Sequence, residues 1–83
     1  MKANIETDYC KKLFYSLGRK EKVNLLHKSN LTDRERAIIH YRLIEGLQLA
    51  EAADKLRIEY SCFVKAQKRA FIKLYSWLIV NNL

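Results

Sequence analysis

The sequence predicts an all-α protein, a small bundle of four to five helices that contains a helix-turn-helix and ends in a long C-terminal helix. Its 83 residues form one domain and include no proline and only two glycines, so few residues interrupt helices. Apolar residues make up 49% of the chain and charged residues 30%, which is typical of a folded domain rather than a disordered tail. Apolar side chains also recur every three to four residues, the period of a helix packed on a core.

The N-terminal segment, residues 1–30, predicts one helix or two. Apolar residues at four-residue spacing predict a helix that begins near Thr7; they are Ile5, Tyr9 and Leu13. Gly18 lowers helix propensity, so we expect this helix to weaken there. The apolar residues that follow either extend it or begin a second helix; they are Val23, Leu25 and Leu26.

The stretch SNLTDRE, residues 29–35, contains the strongest helix start. Thr32 is a good N-cap and Glu35 follows three residues later, so each side chain can accept a backbone N–H of the first turn. Arg34 and Arg36 lie in that turn and are expected to be structural or partner-facing. We expect the helix to end at Gly46, which can take the left-handed conformation. Apolar residues around more than half its circumference predict the central buried helix: Ile38, Ile39, Tyr41, Leu43 and Ile44.

Two helices then follow with little between them. The first spans about 49–56, a turn covers 57–59, and a long helix runs from about Tyr60 toward Val80 without a breaker. One stripe of the long helix is apolar: Phe63, Ala66, Ala70, Phe71, Leu74, Trp77 and Leu78. The opposite arc carries Ser61, Lys65, Lys68, Ile72 and Ile79. The long helix is therefore expected to bury the stripe and leave this arc exposed.

The net charge of +7, from 16 Lys and Arg against 9 Asp and Glu, attracts a polyanion such as nucleic acid or an anionic membrane. No apolar run approaches the roughly 20 residues that a membrane span needs. The N-terminal MKANIETDYC also lacks the apolar segment of a signal peptide. We therefore expect a cytosolic protein that does not bind membranes.

Few residues suggest metal binding or catalysis. Cys10 and Cys62 stand far apart without CxxC or Cys/His spacing, which argues against a disulfide framework or a zinc site with His27 and His40. Two buried thiols are expected instead. The sequence has no paired carboxylates, nucleophile elbow or glycine-rich phosphate loop. It predicts no metal, no cofactor and no enzymatic activity.

The two adjacent helices meet the requirements of a helix-turn-helix, which needs a small residue at the crossing, apolar packing and a free polar face on the second helix. Ala53 is the small residue, and the packing residues are Ala52, Leu56, Ile58, Phe63 and Ala66. Such a pair can place the start of its second helix in the DNA major groove, about 12 Å wide, while the first helix crosses the backbone.

Four sequence blocks also follow the order and spacing of a known family. They are LTDRERAII at 31–39, GL at 46–47, EAADKL at 51–56 and KRAFIKL at 68–74. Over residues 31–74 the chain resembles the fourth, promoter-reading region of bacterial sigma factors and the related response-regulator output domains. The resemblance implies a transcription regulator whose partner is double-stranded DNA. The candidate DNA-binding residues are Gln48, Arg57, Tyr60, Ser61, Val64, Lys65, Lys68 and Arg69.

The chain departs from the family pattern in three ways. Arg57 replaces the usual turn glycine, so its backbone either avoids positive φ or accepts strain. Glu59 replaces the usual Ser or Thr cap, although its carboxylate suits the positive end of a helix dipole. The reading surface at 60–65 has no arginine, so direct readout of guanine by a bidentate arginine is not expected there. Phosphate contacts should supply most of the affinity.

Two further partners are consistent with the sequence. The arginine-poor surface and the apolar Val64 and Ile72 allow a protein-binding module that docks on RNA polymerase or a sigma factor. A homodimer is the other, since an apolar seam repeats on the long helix at Ile72, Tyr75 and Ile79. A competing explanation of that seam is cover within one chain by Tyr9, Leu13 and Phe14, or ordinary scattered surface residues.

Overall fold

Five α-helices follow one another in the computed structural model, which describes residues 4–83. They are α1 Ile5–Tyr15, α2 Arg19–Lys28, α3 Asp33–Ile39, α4 Leu49–Leu56 and α5 Tyr60–Val80. A π-helical turn, His40–Ile44, continues α3. Residues 4–83 contain no β-strand. The prediction of a small all-α bundle of four to five helices is confirmed.

The N-terminal segment forms two helices, so the second of the two expected arrangements is observed. The Asn4 side chain accepts the Thr7 N–H at 3.2 Å, and this cap begins α1 two residues before the expected start. Gly18 is the N-cap of α2, and its N–H donates to Oε1 of Glu21 at 2.9 Å. Gly18 therefore separates α1 from α2, because the first turn of α2 begins directly after it.

The capping box predicted for α3 is confirmed, whereas the end of the central helix differs from the prediction. Oγ1 of Thr32 accepts the Glu35 N–H at 3.2 Å, and Oε1 of Glu35 accepts the Thr32 N–H at 2.8 Å. The α-helical hydrogen bonds stop near His40, and the Glu45 N–H donates to the His40 carbonyl at 2.9 Å across a π-turn. Gly46 takes the expected positive φ, at 72°.

Two groups of buried side chains form the core, and α5 contributes to both. The larger lies mainly between α1, α2 and α5: Cys10, Phe14, Leu26, Leu31, Ile39, Ala70, Phe71, Leu74 and Leu78. The smaller lies beneath the α4–α5 turn: Ile38, Ala52, Ala53 and Phe63. The two remaining residues of the predicted α5 stripe, Ala66 and Trp77, are half-buried.

The central helix is less enclosed than the sequence predicted. Ile38 and Ile39 are fully buried, but three apolar residues of the π-turn are only half-buried: Tyr41, Leu43 and Ile44. The wider π-turn directs fewer of its side chains into the core, so complete burial stops where the α-helix stops.

The two cysteines have different environments, which corrects the expectation of two buried thiols. Cys10 is fully buried, with Sγ 3.8 Å from the Phe71 carbonyl oxygen. Burial, helped by the charge of Glu6, raises the pKa of the Cys10 thiol to about 12. Cys62 is exposed, because it precedes the buried Phe63 and lies at the edge of the free arc of α5. Both thiols are free.

Candidate nucleic-acid interface

The turn between α4 and α5 is built on small residues and one left-handed residue. Ala52 and Ala53 are buried against Phe63, and their short side chains allow the two helices to approach closely. Arg57 adopts φ 55° and ψ 44°. Its N–H donates to the Asp54 carbonyl at 3.1 Å, and the Ile58 N–H donates to the Ala53 carbonyl at 3.0 Å. These are the two bonds of a Schellman motif, so Arg57 accepts the strain of the position that usually holds glycine.

The N-cap residue of α5, Glu59, carries a carboxylate. Glu59 makes no side-chain bond to the backbone of α5; instead it accepts from Oγ of Ser61 at 2.7 Å and from Sγ of Cys62 at 3.4 Å. These two bonds, that of Ser61 first, lower the pKa of the Glu59 carboxyl. The hydroxyl of Ser61 is thus engaged within the protein, and a negative charge stands beside the predicted reading surface.

The free arc of α5 is basic in its N-terminal half. Lys65, Lys68 and Arg69 are exposed, as are Tyr60 and Ser61, whereas Val64 is half-buried. None of the ion pairs within residues 4–83 involves the three cations. Their charges are therefore available to an anionic partner.

A groove of about 410 Å³ separates this arc from the start of α3. Arg34 lines the α3 wall, and Lys65 and Arg69 line the α5 wall. Glu35 also lines the groove, but its charge is matched by Lys73, whose Nζ lies 3.1 Å from Oε1 of Glu35. Arg34 thus extends the basic surface of α5 across a second helix.

Sequence reasoning did not include Arg34 in the site, and the structure separates it from Arg36. The Arg36 guanidinium donates to the carbonyls of Leu26 and Ser29, each at 3.2 Å, and lies 3.1 Å from Asp33. Arg36 is therefore structural, as expected for the cap. Arg34 is exposed. The capping position alone places both residues in one turn and does not tell which side of the helix meets α5.

The two predicted residues of α4, Gln48 and Arg57, lie at opposite ends of the helix and are both exposed. Eight residues of α-helix separate their backbones by about 12–15 Å. The Gln48 N–H donates to Oε1 of Glu51 at 3.1 Å. One of the free N–H groups that a phosphate could bind at this helix start is therefore already occupied.

The three residues of the predicted dimer seam have different environments. Ile72 and Ile79 are 41% and 46% exposed. Tyr75 is half-buried, and its ring meets that of Tyr9 edge to face, with centroids 5.3 Å apart. Contact with α1 therefore explains why Tyr75 is half-buried, whereas Ile72 and Ile79 remain exposed.

Among residues 4–83, no group of three or more His, Cys, Asp or Glu side chains is positioned to hold a metal ion. Nε2 of His40 lies 3.1 Å from Oε2 of Glu45, an oxygen that Arg19 also contacts at 2.8 Å. Those two bonds, that of Arg19 first, lower the pKa of the Glu45 carboxyl.

No helix in the described chain is long and apolar enough to cross a membrane.

Comparisons with known protein families, curated proteins and solved structures find no match to this chain. The resemblance of residues 31–74 to the fourth region of sigma factors stays a prediction.

Proposed function

We propose that this protein is a small transcription regulator that binds duplex DNA, with the start of α5 in the major groove and α4 over the backbone. The observation that carries the proposal is the arc of exposed cations without protein partners among the described residues: Lys65, Lys68 and Arg69. Arg34 adds a fourth positive charge across the groove, and Arg57 adds a fifth at the turn.

Phosphate contacts supply most of the proposed affinity. Each phosphate neutralised by a cation releases counterions and contributes about −0.9 to the slope of log K against log[salt]. Five cations that all engage phosphates would therefore give a slope of about −4.5. Besides Lys65, the reading surface offers Tyr60, Ser61 and Val64, which cannot form the bidentate pairs that discriminate a base by about 1–3 kcal/mol. We expect modest sequence preference and a need for a second module, supplied by a dimer or by tethering.

Fluorescence anisotropy tests the proposal. A labelled duplex of random sequence is titrated with the full chain at several salt concentrations, beside a single strand of the same length as control. The proposal expects log K to fall linearly with log[salt] and the duplex to bind more tightly, because only the duplex has a major groove for α5. Failure to bind any duplex at low salt excludes it.

A second candidate function is docking on RNA polymerase or a sigma factor. Exposed apolar side chains on α5 favour it, since Tyr60 is 53% exposed and Ile72 and Ile79 are also uncovered. A pull-down from a bacterial lysate should then retain polymerase subunits or a sigma factor in stoichiometric amount. Ile72→Gln, which adds no charge, should abolish that retention under docking and leave DNA affinity unchanged under the first proposal.

A further inference from the structure

A second basic site lies away from the proposed DNA surface. A pocket of about 380 Å³ is lined by one cation from each of three elements: Lys11 of α1, Lys22 of α2 and Arg42 of the π-turn. The Arg42 Nε donates to Oε1 of Gln67 at 2.5 Å. Since Gln67 and Lys65 are two residues apart, they stand about 200° apart around the α5 axis. The pocket and the basic arc therefore face different directions.

The positive charges of this pocket are not balanced by the described protein. No carboxylate lines it, and no ion pair within residues 4–83 involves Lys11, Lys22 or Arg42. Three positive charges thus line one concave surface without a carboxylate among its lining residues. A multiply charged anion in the pocket would attract all three.

Arg42 is held in a fixed orientation at this site. Its Nη1 donates to the Leu47 carbonyl at 2.6 Å, and Nε donates to Gln67. Nη2 has no partner among the described residues. Burial lowers the pKa of Arg42, although a guanidinium stays charged at physiological pH. An orientated guanidinium with a free Nη2 suits an oxygen of a phosphate, and two lysines add point charges.

The rest of the pocket is apolar and aromatic. Phe14 and Leu43 line it, and Tyr15, which is 87% exposed, stands at its edge. A ligand that fits therefore combines a charged phosphate with a less polar part.

We propose that this pocket binds a small phosphate-bearing ligand, with the phosphate held by Lys11, Lys22 and Arg42. The inference is independent of DNA binding, because no residue of the basic arc lines the pocket. Binding joins α1 and α2 to the π-turn through one anion. A ligand that binds only the folded chain therefore raises its thermal stability by mass action.

Thermal unfolding with pyrophosphate as the probe tests this inference. The full chain is melted with and without sodium pyrophosphate at constant ionic strength, with chloride as the reference anion. The test variant is Lys11→Gln with Lys22→Gln. The matched control is Lys12→Gln with Lys20→Gln, which removes the same charge from the same helices at exposed positions that do not line the pocket. Pyrophosphate should raise the Tm of the wild type and the control by several degrees and leave that of the test variant unchanged.

Amide chemical shifts locate the ligand and distinguish its sources. Pyrophosphate should shift the signals of residues 11, 22 and 42–46 in the wild type, which decides the matter even where the test variant fails to fold. Absence of both the Tm rise and these shifts overturns the inference. Equal loss of the Tm rise in both double variants also overturns it, since the effect would then be one of general charge. Shifts of the same amides by duplex DNA but not by pyrophosphate would assign the pocket to nucleic acid instead.

Discussion

The ammonium of Lys73 on α5 lies 3.1 Å from Oε1 of Glu35, the oxygen that also accepts the Thr32 N–H at the start of α3. One carboxylate therefore caps a helix and joins it to the longest helix of the bundle. Burial raises the pKa of Glu35, but the Thr32 N–H and the Lys73 ammonium together outweigh it, so the pKa lies below its ordinary value of 4.5.

Glu35→Gln should lower the free energy of unfolding by about 0.5–1 kcal/mol at pH 7, because the amide can still accept from Thr32 but loses the ion pair. A carboxyl whose folded pKa is lowered stabilises the protein above its ordinary pKa and loses that contribution as the pH falls through the folded value. The difference between wild type and variant should therefore shrink below about pH 4.5. Urea titrations at pH 7 and pH 3 measure it. Glu51→Gln is the control, since Glu51 caps α4 without a lysine partner in the described chain. An equal Glu35→Gln effect at both pH values contradicts the assignment.

Arg57→Gly should stabilise the fold and weaken DNA binding together. A side chain at φ 55° costs about 1–2 kcal/mol, part of which the greater flexibility of glycine in the unfolded chain offsets. We expect a net gain of about 0.5–1 kcal/mol, or a rise in Tm of about 4 °C. Arg57→Ala, which keeps the Cβ, should lose DNA affinity equally without the gain. Thermal melts and anisotropy measure the two quantities, and a lower Tm for the glycine variant would refute the strain.

Removal of single charges tests the DNA surface. Lys65→Ala, Lys68→Ala and Arg34→Ala should each reduce the salt slope by about one and leave the fold intact, because all three side chains are exposed. Lys65, near the start of α5, should also change sequence preference when replaced. The control is Lys20→Ala on α2, an exposed lysine outside the groove. Unchanged affinity in all three variants would favour protein docking over DNA.

Short sequence motifs predicted the parts of this fold that are determined by residues close together in the sequence. Thr32 and Glu35 specify their own cap, and Gly46 takes its positive φ where the predicted helix ends. The π-turn was not predicted, because its hydrogen bonds form alongside contacts of Arg42 with Gln67, 25 residues away. Such contacts leave no periodic pattern in the sequence.

The candidate site also has a part that the sequence predicted and a part that it did not. The free arc of α5 followed from helical periodicity, and the exposure of Lys65 and Lys68 agrees with it. The place of Arg34 in the groove depends on how α3 lies against α5, which spacing along one helix cannot give. Tyr75 likewise belongs to the intramolecular surface because Tyr9 of α1 reaches it.

The apolar seam makes a distinct prediction for each of its residues. Ile72→Glu with Ile79→Glu should leave a folded monomer, because neither side chain belongs to the buried core. The same double change should abolish any dimer that forms at tens of micromolar, roughly the range of a weak association. Tyr75→Glu should destabilise the monomer itself through loss of the Tyr9 contact. Sedimentation equilibrium and circular dichroism separate these effects. A wild-type monomer at that concentration excludes the dimer, and unfolding of the double glutamate variant would show the isoleucines to be core.

Thiol alkylation measures how firmly α1 is held on α5. Iodoacetamide should modify one thiol of the native protein, Cys62, since only thiolates react and Cys10 is buried with a pKa of about 12. Both thiols should react in guanidinium chloride, as mass spectrometry can count. Cys62→Ser is the control and should show no rapid native labelling. The slow residual labelling of Cys10 in Cys62→Ser then reports how often the packing of Cys10 against Phe71 opens. Adding Tyr75→Glu to Cys62→Ser should raise this labelling rate, whereas adding Ile79→Glu should leave it unchanged. Equally fast native labelling of both cysteines would mean that α1 does not remain packed on α5.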